Sequence, residues 1–306
     1  MSTERPEQVM PEAPKVVTLG GETFDFVKGR RNKTEVYRAQ DQTRYLRIGP
    51  TLDIEREGGF HKQLLAQGYP VPEILEEGER NPGESYYVEA SAGTEKFGSI
   101  LGRECQEKGA VEEPTFSRFL EIVQKYLEAQ KSNVAETSNW ESAFLGSHFD
   151  LLLEEMPEEK QLIMQVWEKI QEDLKDVSFV LCHGDFNAYN ILPGGVIDFE
   201  TPFGGPLGYD LVSAVASVSW FPRKGDTEIL AKYSFTPEQI EKLWELAPDT
   251  MKDFDALFLL RSSWAVVRMD QFPKLQAWRN KLFREAMDRY VKGDSLYEWW
   301  RTMPQE

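Results

Sequence analysis

The segment Ser178 to Asp210, SFVLCHGDFNAYNILPGGVIDFETPFGGPLGYD, constrains this chain more than any other stretch. Phe179–Cys182 is a short apolar run that reads as a buried strand. It delivers His183-Gly184-Asp185 into a loop, and Asn190-Ile191-Leu192 leaves that loop. Pro193-Gly194-Gly195 is a tight-turn signal, so Val196-Ile197-Asp198-Phe199 is expected to return as a hairpin strand. With the turn centred on Gly194, Leu192 faces Val196, Ile191 faces Ile197 and Asn190 faces Asp198. Directly opposed residues hold their Cβ atoms about 4.5–5.5 Å apart. An amide oxygen and a carboxylate are then expected to converge at one end of a β-ribbon.

Hard oxygen ligands that leave positions open for phosphate suit Mg2+. Asp185, on the same loop as Asn190, can aim its carboxylate at a hydroxyl beside such an ion. A metal to neutralise phosphates and a carboxylate to orient a nucleophile are what phosphoryl transfer requires. Any one of these polar residues alone is more often a surface or capping residue, and a metal-free turn with incidental carboxylates is the competing reading. Four polar positions at set spacing between two apolar strands argue against it. HGD-x4-N followed by IDFE resembles the active-site signature of the aminoglycoside/choline phosphotransferase family, relatives of the protein kinases.

The resemblance covers roughly Val16 to Tyr290 and implies an α+β, two-lobed protein-kinase-like fold. It implies Asp185 as catalytic base, Asn190 and Asp198 as Mg2+ ligands, and His183 as a brace for the loop. Asp210, in GPLGYD, matches a family aspartate that props the catalytic loop. The implied activity is transfer of the γ-phosphate of ATP or GTP to a small-molecule hydroxyl. A protein kinase is disfavoured, because HRD, DFG and an APE-ended activation segment are missing and only Glu200–Gly208 follows the metal aspartate.

The rest of the chain is organised to match. Residues 1–15 are polar and proline-rich and are expected to form a flexible tail without an apolar signal core. Thr23–Lys28, Glu35–Ala39 and Arg44–Ile48 are short strand-like runs separated by Gly, Asn and Asp, an antiparallel meander. Glu57, Phe60, Leu64 and Leu65 then share one helix face, and the helix stops before Tyr69-Pro70-Val71-Pro72. Ile74-Leu75 and Tyr86-Tyr87-Val88 read as further strands around an Asn81-Pro82-Gly83 turn. Residues 16–90 are therefore expected to be a β-rich lobe with one helix, and 91–306 a helical lobe. In the latter, Phe116, Phe119, Leu120, Val123 and Leu127 form an amphipathic stripe, as do Leu162, Val166 and Ile170. Leu257, Leu260, Trp264 and Val267 make another stripe, and Leu275, Trp278, Leu282 and Tyr290 the last. Thr236-Pro237-Glu238-Gln239 is a capping box with proline at the first helical position.

In the first lobe the resemblance implies a nucleotide clamp. Lys28–Thr34 joins two strands where a phosphate-covering loop belongs, although it is not G-x-G-x-x-G and by itself reads as an ordinary surface turn. In RYLRIG, Tyr45 and Arg47 share one strand face. The family strand presents a cation to the nucleotide phosphates, usually lysine and in some members arginine, which implies Arg47, with Tyr45 against adenine. Glu57 is the implied partner of Arg47, with Glu55 and Asp53 as nearby rivals. Tyr87–Gly93 resembles the hinge, implying adenine contacts from the Glu89 carbonyl and the Ser91 N–H. The poor phosphate loop and Arg47 also motivate an alternative: a pseudokinase-like nucleotide- or metabolite-binding module.

Composition bounds the partners. Fifty-two acidic against thirty-five basic residues leave a formal charge of −17, which repels nucleic acid and anionic lipid. Of 306 residues, 41% are hydrophobic, enough for a sizeable core, yet no apolar run reaches a membrane span. Two cysteines, Cys105 and Cys182, make no disulfide framework, so a reducing, cytoplasmic location is expected. Acidic candidates for an acceptor site are Glu200, Asp150, Glu154, Glu155 and Asp270. Trp220, Trp264 and Trp278 could box a quaternary amine, but their helical spacing favours core packing. The acceptor itself and the oligomeric state are not legible.

Overall fold

The computed structural model describes residues 14–29, 33–199, 201–216, 233–266 and 273–302. Residues 1–13 of the tail, Arg30-Arg31-Asn32 of the basic turn, Glu200, Trp220, Val267 and Asp270 lie outside them. The described strands are β1 Val16–Leu19, β2 Glu22–Gly29, β3 Glu35–Ala39, β4 Arg44–Pro50, β5 Ile74–Asn81, β6 Glu84–Ala90, β7 Phe179–Cys182, β8 Ile191–Leu192, β9 Gly195–Val196 and β10 Phe203–Pro206. The described helices begin with α1 Thr51–Ala66, α2 Phe97–Lys108, α3 Glu113–Ser132, α4 Trp140–Gly146, α5 Phe149–Glu155 and α6 Lys160–Asp173. They continue with α7 Tyr209–Ala216, α8 Pro237–Glu245, α9 Asp249–Lys252, α10 Phe254–Val266, α11 Pro273–Lys292 and α12 Leu296–Thr302.

The described residues up to Ala66, with Val71–Thr94, make one compact unit; Gln67–Pro70 and the described residues from Glu95 onward make the other. In the first, an antiparallel sheet runs β1-β2-β3-β4-β6-β5. β1, absent from the sequence expectation, extends the meander by pairing Val17 with Phe24. Strand alternation sends Leu46 and Ile48 into one core with Val17, Phe24, Tyr37, Ala39 and Val88. Arg47 and Tyr45 take the opposite face, in register with Tyr87 and Glu89. α1 packs against β4, β5 and β6.

The second unit is helical around a small β element. β10 pairs antiparallel with β7, Phe203 opposite Cys182. α3 buries Phe116, Phe119, Val123 and Leu127 as the periodicity predicts, and adds Tyr126 and Gln130 to that face. The capping box at Thr236 forms, with Thr236 Oγ1 accepting from the Gln239 N–H and the Gln239 side chain accepting from the Thr236 N–H. The α11 stripe is rotated from its expected phase: Phe283, Ala286, Met287 and Tyr290 are buried, spaced i, i+3, i+4, i+7, while Trp278 and Leu282 are half-buried.

The hairpin after the His183–Asn190 loop corrects the expected register. Ile191 pairs with Val196 and Leu192 with Gly195, one residue tighter than a turn centred on Gly194. Only Pro193-Gly194 remain in the turn, with proline at the first position, where turns of types I and II accept it. Gly195, at φ 145°, adopts a backbone open to glycine, which lets the ladder close there. Asn190 consequently opposes Ile197, whose N–H donates to the Asn190 carbonyl at 2.9 Å. Asp198 is not the cross-strand partner of Asn190, because a one-residue slip exchanges the facing side chains. It lies past the ladder at φ 71°, a left-handed conformation that aspartate tolerates.

Candidate active site

β7 is buried and carries the chain directly into His183. The buried Asp210 carboxylate at the start of α7 gathers three donors on Oδ2: the His183 N–H at 2.8 Å, the Tyr126 hydroxyl at 2.8 Å and Gln130 Nε2 at 2.9 Å. Gln130 Nε2 also donates to the Leu181 carbonyl at 2.8 Å, so α3 and α7 together hold the end of β7. Asp210 Oδ1 is buried with no hydrogen-bond partner among the described residues. Burial pushes this carboxyl above the usual aspartate range, against the opposing pull of the three donors.

The His183 ring closes the other side of the loop. Its Nε2 lies 2.9 Å from the Ile197 carbonyl, an acceptor only, so Nε2 carries the hydrogen; Nδ1 then accepts from the Asp185 N–H at 3.3 Å. The neutral imidazole thereby ties Asp185 to the residue preceding Asp198. Gly184 is required between them: its φ is 86°, and a Cβ there would lie 2.6 Å from the Thr201 carbonyl oxygen. Phe186 and Ala188 are fully buried, with Phe186 stacked on Tyr126 at 4.1 Å. The N–H of Gly98, in the first turn of α2, donates to the Ala188 carbonyl at 2.7 Å. A Cβ on Gly98 would sit 2.7 Å from the Tyr189 ring.

These constraints present Asp185, whose side chain is 32% exposed. Its Oδ1 accepts from Asn187 Nδ2 at 2.8 Å and from Arg261 at 3.0 Å. Oδ2 accepts from Asn190 Nδ2 at 3.2 Å, and that amide also reaches the Asp185 carbonyl at 2.9 Å. With Nδ2 of Asn190 so engaged, its Oδ1 is the atom suited to a metal. The Asn190 amide oxygen and the Asp198 carboxylate are hard oxygen donors of the kind that would suit Mg2+, an ion bound with few protein ligands. Among the described residues no group of three His, Cys, Asp or Glu could hold a metal ion by itself.

In the first unit, Arg47 is 8% exposed and gripped by two carboxylates. Its NH1 donates to Glu57 Oε1 at 2.7 Å; Nε and NH2 donate to Glu89 Oε1 at 3.0 and 2.9 Å. Burial opposes this charge, but Glu89, with Tyr87 and Glu57, outweighs it and holds the guanidinium above its already high range. Tyr87 donates to Glu57 Oε1 at 3.0 Å, and His61 Nδ1 lies 3.6 Å from Glu89 Oε2. Of the three carboxylates considered for Arg47, Glu57 is the one in contact, while Asp53 pairs with Arg56.

The hinge expectation needs correction. The Ser91 N–H donates to the Thr43 carbonyl at 2.8 Å, because the β4–β6 pairing runs one residue past Arg44 and Ala90, so it is engaged within the sheet. Glu89 lies inside the ladder, in register with Tyr45 and Ile74, and what it contributes is its carboxylate on Arg47. Tyr45 is half-buried. Of the acceptor candidates, Asp150 and Glu155 are half-buried and Glu154 is exposed.

Sequence reasoning missed Asn187 and Arg261 at Asp185, Glu89 as a side chain, and the Tyr126–Gln130 support of Asp210. Arg261 had a signal. It is a lone cation in the apolar run Ala256–Ala265, ALFLLRSSWA, and a buried guanidinium demands a carboxylate. Trp264, expected in the core, is 39% exposed with the Arg261 guanidinium carbon 5.1 Å from its ring centroid.

The fold is the kinase-like fold of the aminoglycoside phosphotransferases. The structure of aminoglycoside phosphotransferase APH(4)-Ia is similar at 15% identity, over 89% of this chain and 94% of that one, with a TM-score of 0.52. The GDP complex of wild-type aminoglycoside 2'-phosphotransferase-IIIa is similar at 9% identity, over 92% and 95%, with a TM-score of 0.54. The phosphotransferase enzyme family model matches residues 26–243, and this chain belongs to that family. No curated protein sequence matches it.

Proposed function

We propose that this protein transfers the γ-phosphoryl group of ATP or GTP to a hydroxyl of a small molecule (aminoglycoside-like, an amino alcohol or a sugar) in a Mg2+-dependent reaction. The observation that supports this reading is Asp185: an accessible carboxylate on a loop whose every side is tied down, with Asn190 bonded to it and Asp198 beyond the adjoining hairpin.

Asp185 orients the acceptor hydroxyl and takes its proton as the acceptor oxygen bonds to the γ-phosphorus. The bond from that phosphorus to the β,γ-bridging oxygen breaks, and its electron pair leaves with the nucleoside diphosphate. Bound Mg2+, held by Asn190 and Asp198, supplies neutralisation of phosphate charge. His183 and Asp210 hold the loop at both ends. In the first unit, Arg47 meets the phosphates, aligned by Glu57 and Glu89, and Tyr45 packs against the base. The similar 2'-phosphotransferase carries GDP, which supports nucleotide use. No helix among the described residues is long and apolar enough to cross a membrane; a cytoplasmic enzyme is part of the proposal.

The test is a nucleotide-dependent phosphorylation screen over aminoglycosides, amino alcohols, sugars and nucleosides, run beside Asp185→Asn. Turnover is expected to fall by about 10²–10⁴-fold in the variant with nucleotide binding retained. Wild-type turnover in the variant would reject Asp185 as the base. One observation favours a second reading, a nucleotide-binding protein without transfer: Nε, NH1 and NH2 of Arg47 all already meet carboxylates. Tight Mg-nucleotide binding with neither transfer nor hydrolysis would select it.

A further inference from the structure

We infer that Arg261 is a positioning residue of this centre: its ion pair sets the rotation of the Asp185 carboxylate so that one lone pair, on Oδ2, is left for the acceptor proton. The inference rests on the phosphotransfer reading above.

Arg261 is 6% exposed on a helix otherwise rich in apolar residues, and a guanidinium is costly to bury without partners. It has them: Nε donates to Ser213 Oγ at 2.8 Å, NH2 donates to Asp185 Oδ1 at 3.0 Å, and Trp264 stacks over the group. Ser213 lies in the buried helix α7, which also carries Asp210. The planar guanidinium therefore spans from the helix that props the loop to the carboxylate the loop presents, a two-point bridge that a lysine ammonium cannot reproduce.

The lone-pair count then assigns the reacting atom. Each carboxylate oxygen accepts about two hydrogen bonds. Among the described residues, Oδ1 is filled by Asn187 and Arg261, whereas Oδ2 accepts only from Asn190. The remaining site on Oδ2 is where the acceptor hydroxyl docks. Without Arg261, the carboxylate is held by two neutral amides of its own loop and can rotate, and a misplacement of about 1 Å at a reacting group costs on the order of 100-fold.

The experiment compares wild type, Arg261→Ala, Arg261→Lys and Asp185→Asn. It reads the Mg-nucleotide Kd by calorimetry, and kcat and KM for transfer to an acceptor from the screen, or to water as nucleotide hydrolysis. Arg261→Ala is expected to lower kcat on the order of 100-fold while Kd and KM stay within about threefold. Arg261→Lys should lie between, and added methylguanidine should restore part of the kcat of Arg261→Ala and none of Asp185→Asn. If Arg261→Ala does not fold, Arg261→Gln carries the same expectation, since its amide reaches one partner at most. An Ala or Gln variant with kcat within about twofold of wild type overturns the inference and leaves the phosphotransfer reading standing. A loss that falls equally on nucleotide affinity, with no rescue, also overturns it by showing a merely structural arginine. Absence of Mg-dependent turnover in the wild type instead overturns the phosphotransfer reading.

Discussion

Asp210 shows how a single buried carboxylate can serve a loop and strain the fold together. Three donors converge on one oxygen while the other has none among the described residues, and burial holds the carboxyl above the ordinary aspartate value of about 4. The consequence for stability has a definite sign. Between about pH 4 and the raised folded value, the folded protein keeps a proton that the unfolded chain has released, so stability falls as pH rises through that window and stays lost above it. Asp210→Asn removes this slope. Urea denaturation across pH is expected to show the variant gaining on wild type as pH rises from 4, whatever constant offset the amide brings; a pH-independent difference refutes the assignment. Asp210 itself was legible from its place in GPLGYD. Tyr126 and Gln130 were not, because the contacts span 84 and 80 positions and nothing local announces them. The same holds for Arg261 and Asp185, 76 positions apart, and for Arg47 and Glu89, 42 apart.

The hairpin β8–β9 marks where local reasoning reached its limit among the elements. Residue types and order predicted the strand, loop and turn, but the return strand is Gly195–Val196 and not Val196–Phe199, and the register depended on how a Pro-Gly-Gly turn divides its residues. That choice rests on the backbone of Gly195, which the letters alone do not state. It moves Ile197 opposite Asn190 and puts Asp198 beyond the ladder. Replacing Gly195 by alanine forces a side chain into φ 145°, a strain on the order of 1–3 kcal/mol. Gly195→Ala is expected to lose about that much stability in urea denaturation and to weaken Mg-dependent nucleotide binding by calorimetry. Unchanged binding at normal stability would mean that the hairpin does not set the Asn190–Asp198 spacing. The helical stripes were legible for α3 because Phe116, Phe119, Val123 and Leu127 are all large; in α11 the small Ala286 and the polar positions around it let the phase slip.

For the protein as a whole, the β-rich unit ends at Thr94 and Gln67–Pro70 belong to the helical unit, while β1 went unseen because four residues carry little pattern. Ligand binding should be visible in the stability of the entire chain. A nucleotide at about 100 times its Kd adds on the order of 2.7 kcal/mol, which raises the unfolding midpoint by roughly 4 °C in a protein of this length. ATP or GTP with Mg2+ is expected to produce that shift. The same nucleotide with a chelator, or Asp198→Ala with Mg2+, should produce much less. Equal shifts with and without Mg2+ would remove the metal from the proposal.

The meeting of Gly98 with the loop has a consequence for how such a protein can change. With the Tyr189 ring where a methyl would go and the Ala188 carbonyl seated on the helix nitrogen, the height of the reactive loop is measured from the floor that α2 provides. A substitution at that floor needs no contact with nucleotide or acceptor to silence the chemistry; lifting the aromatic ring is enough. In this chain, the footing under Tyr189 leaves no room for a side chain at Gly98.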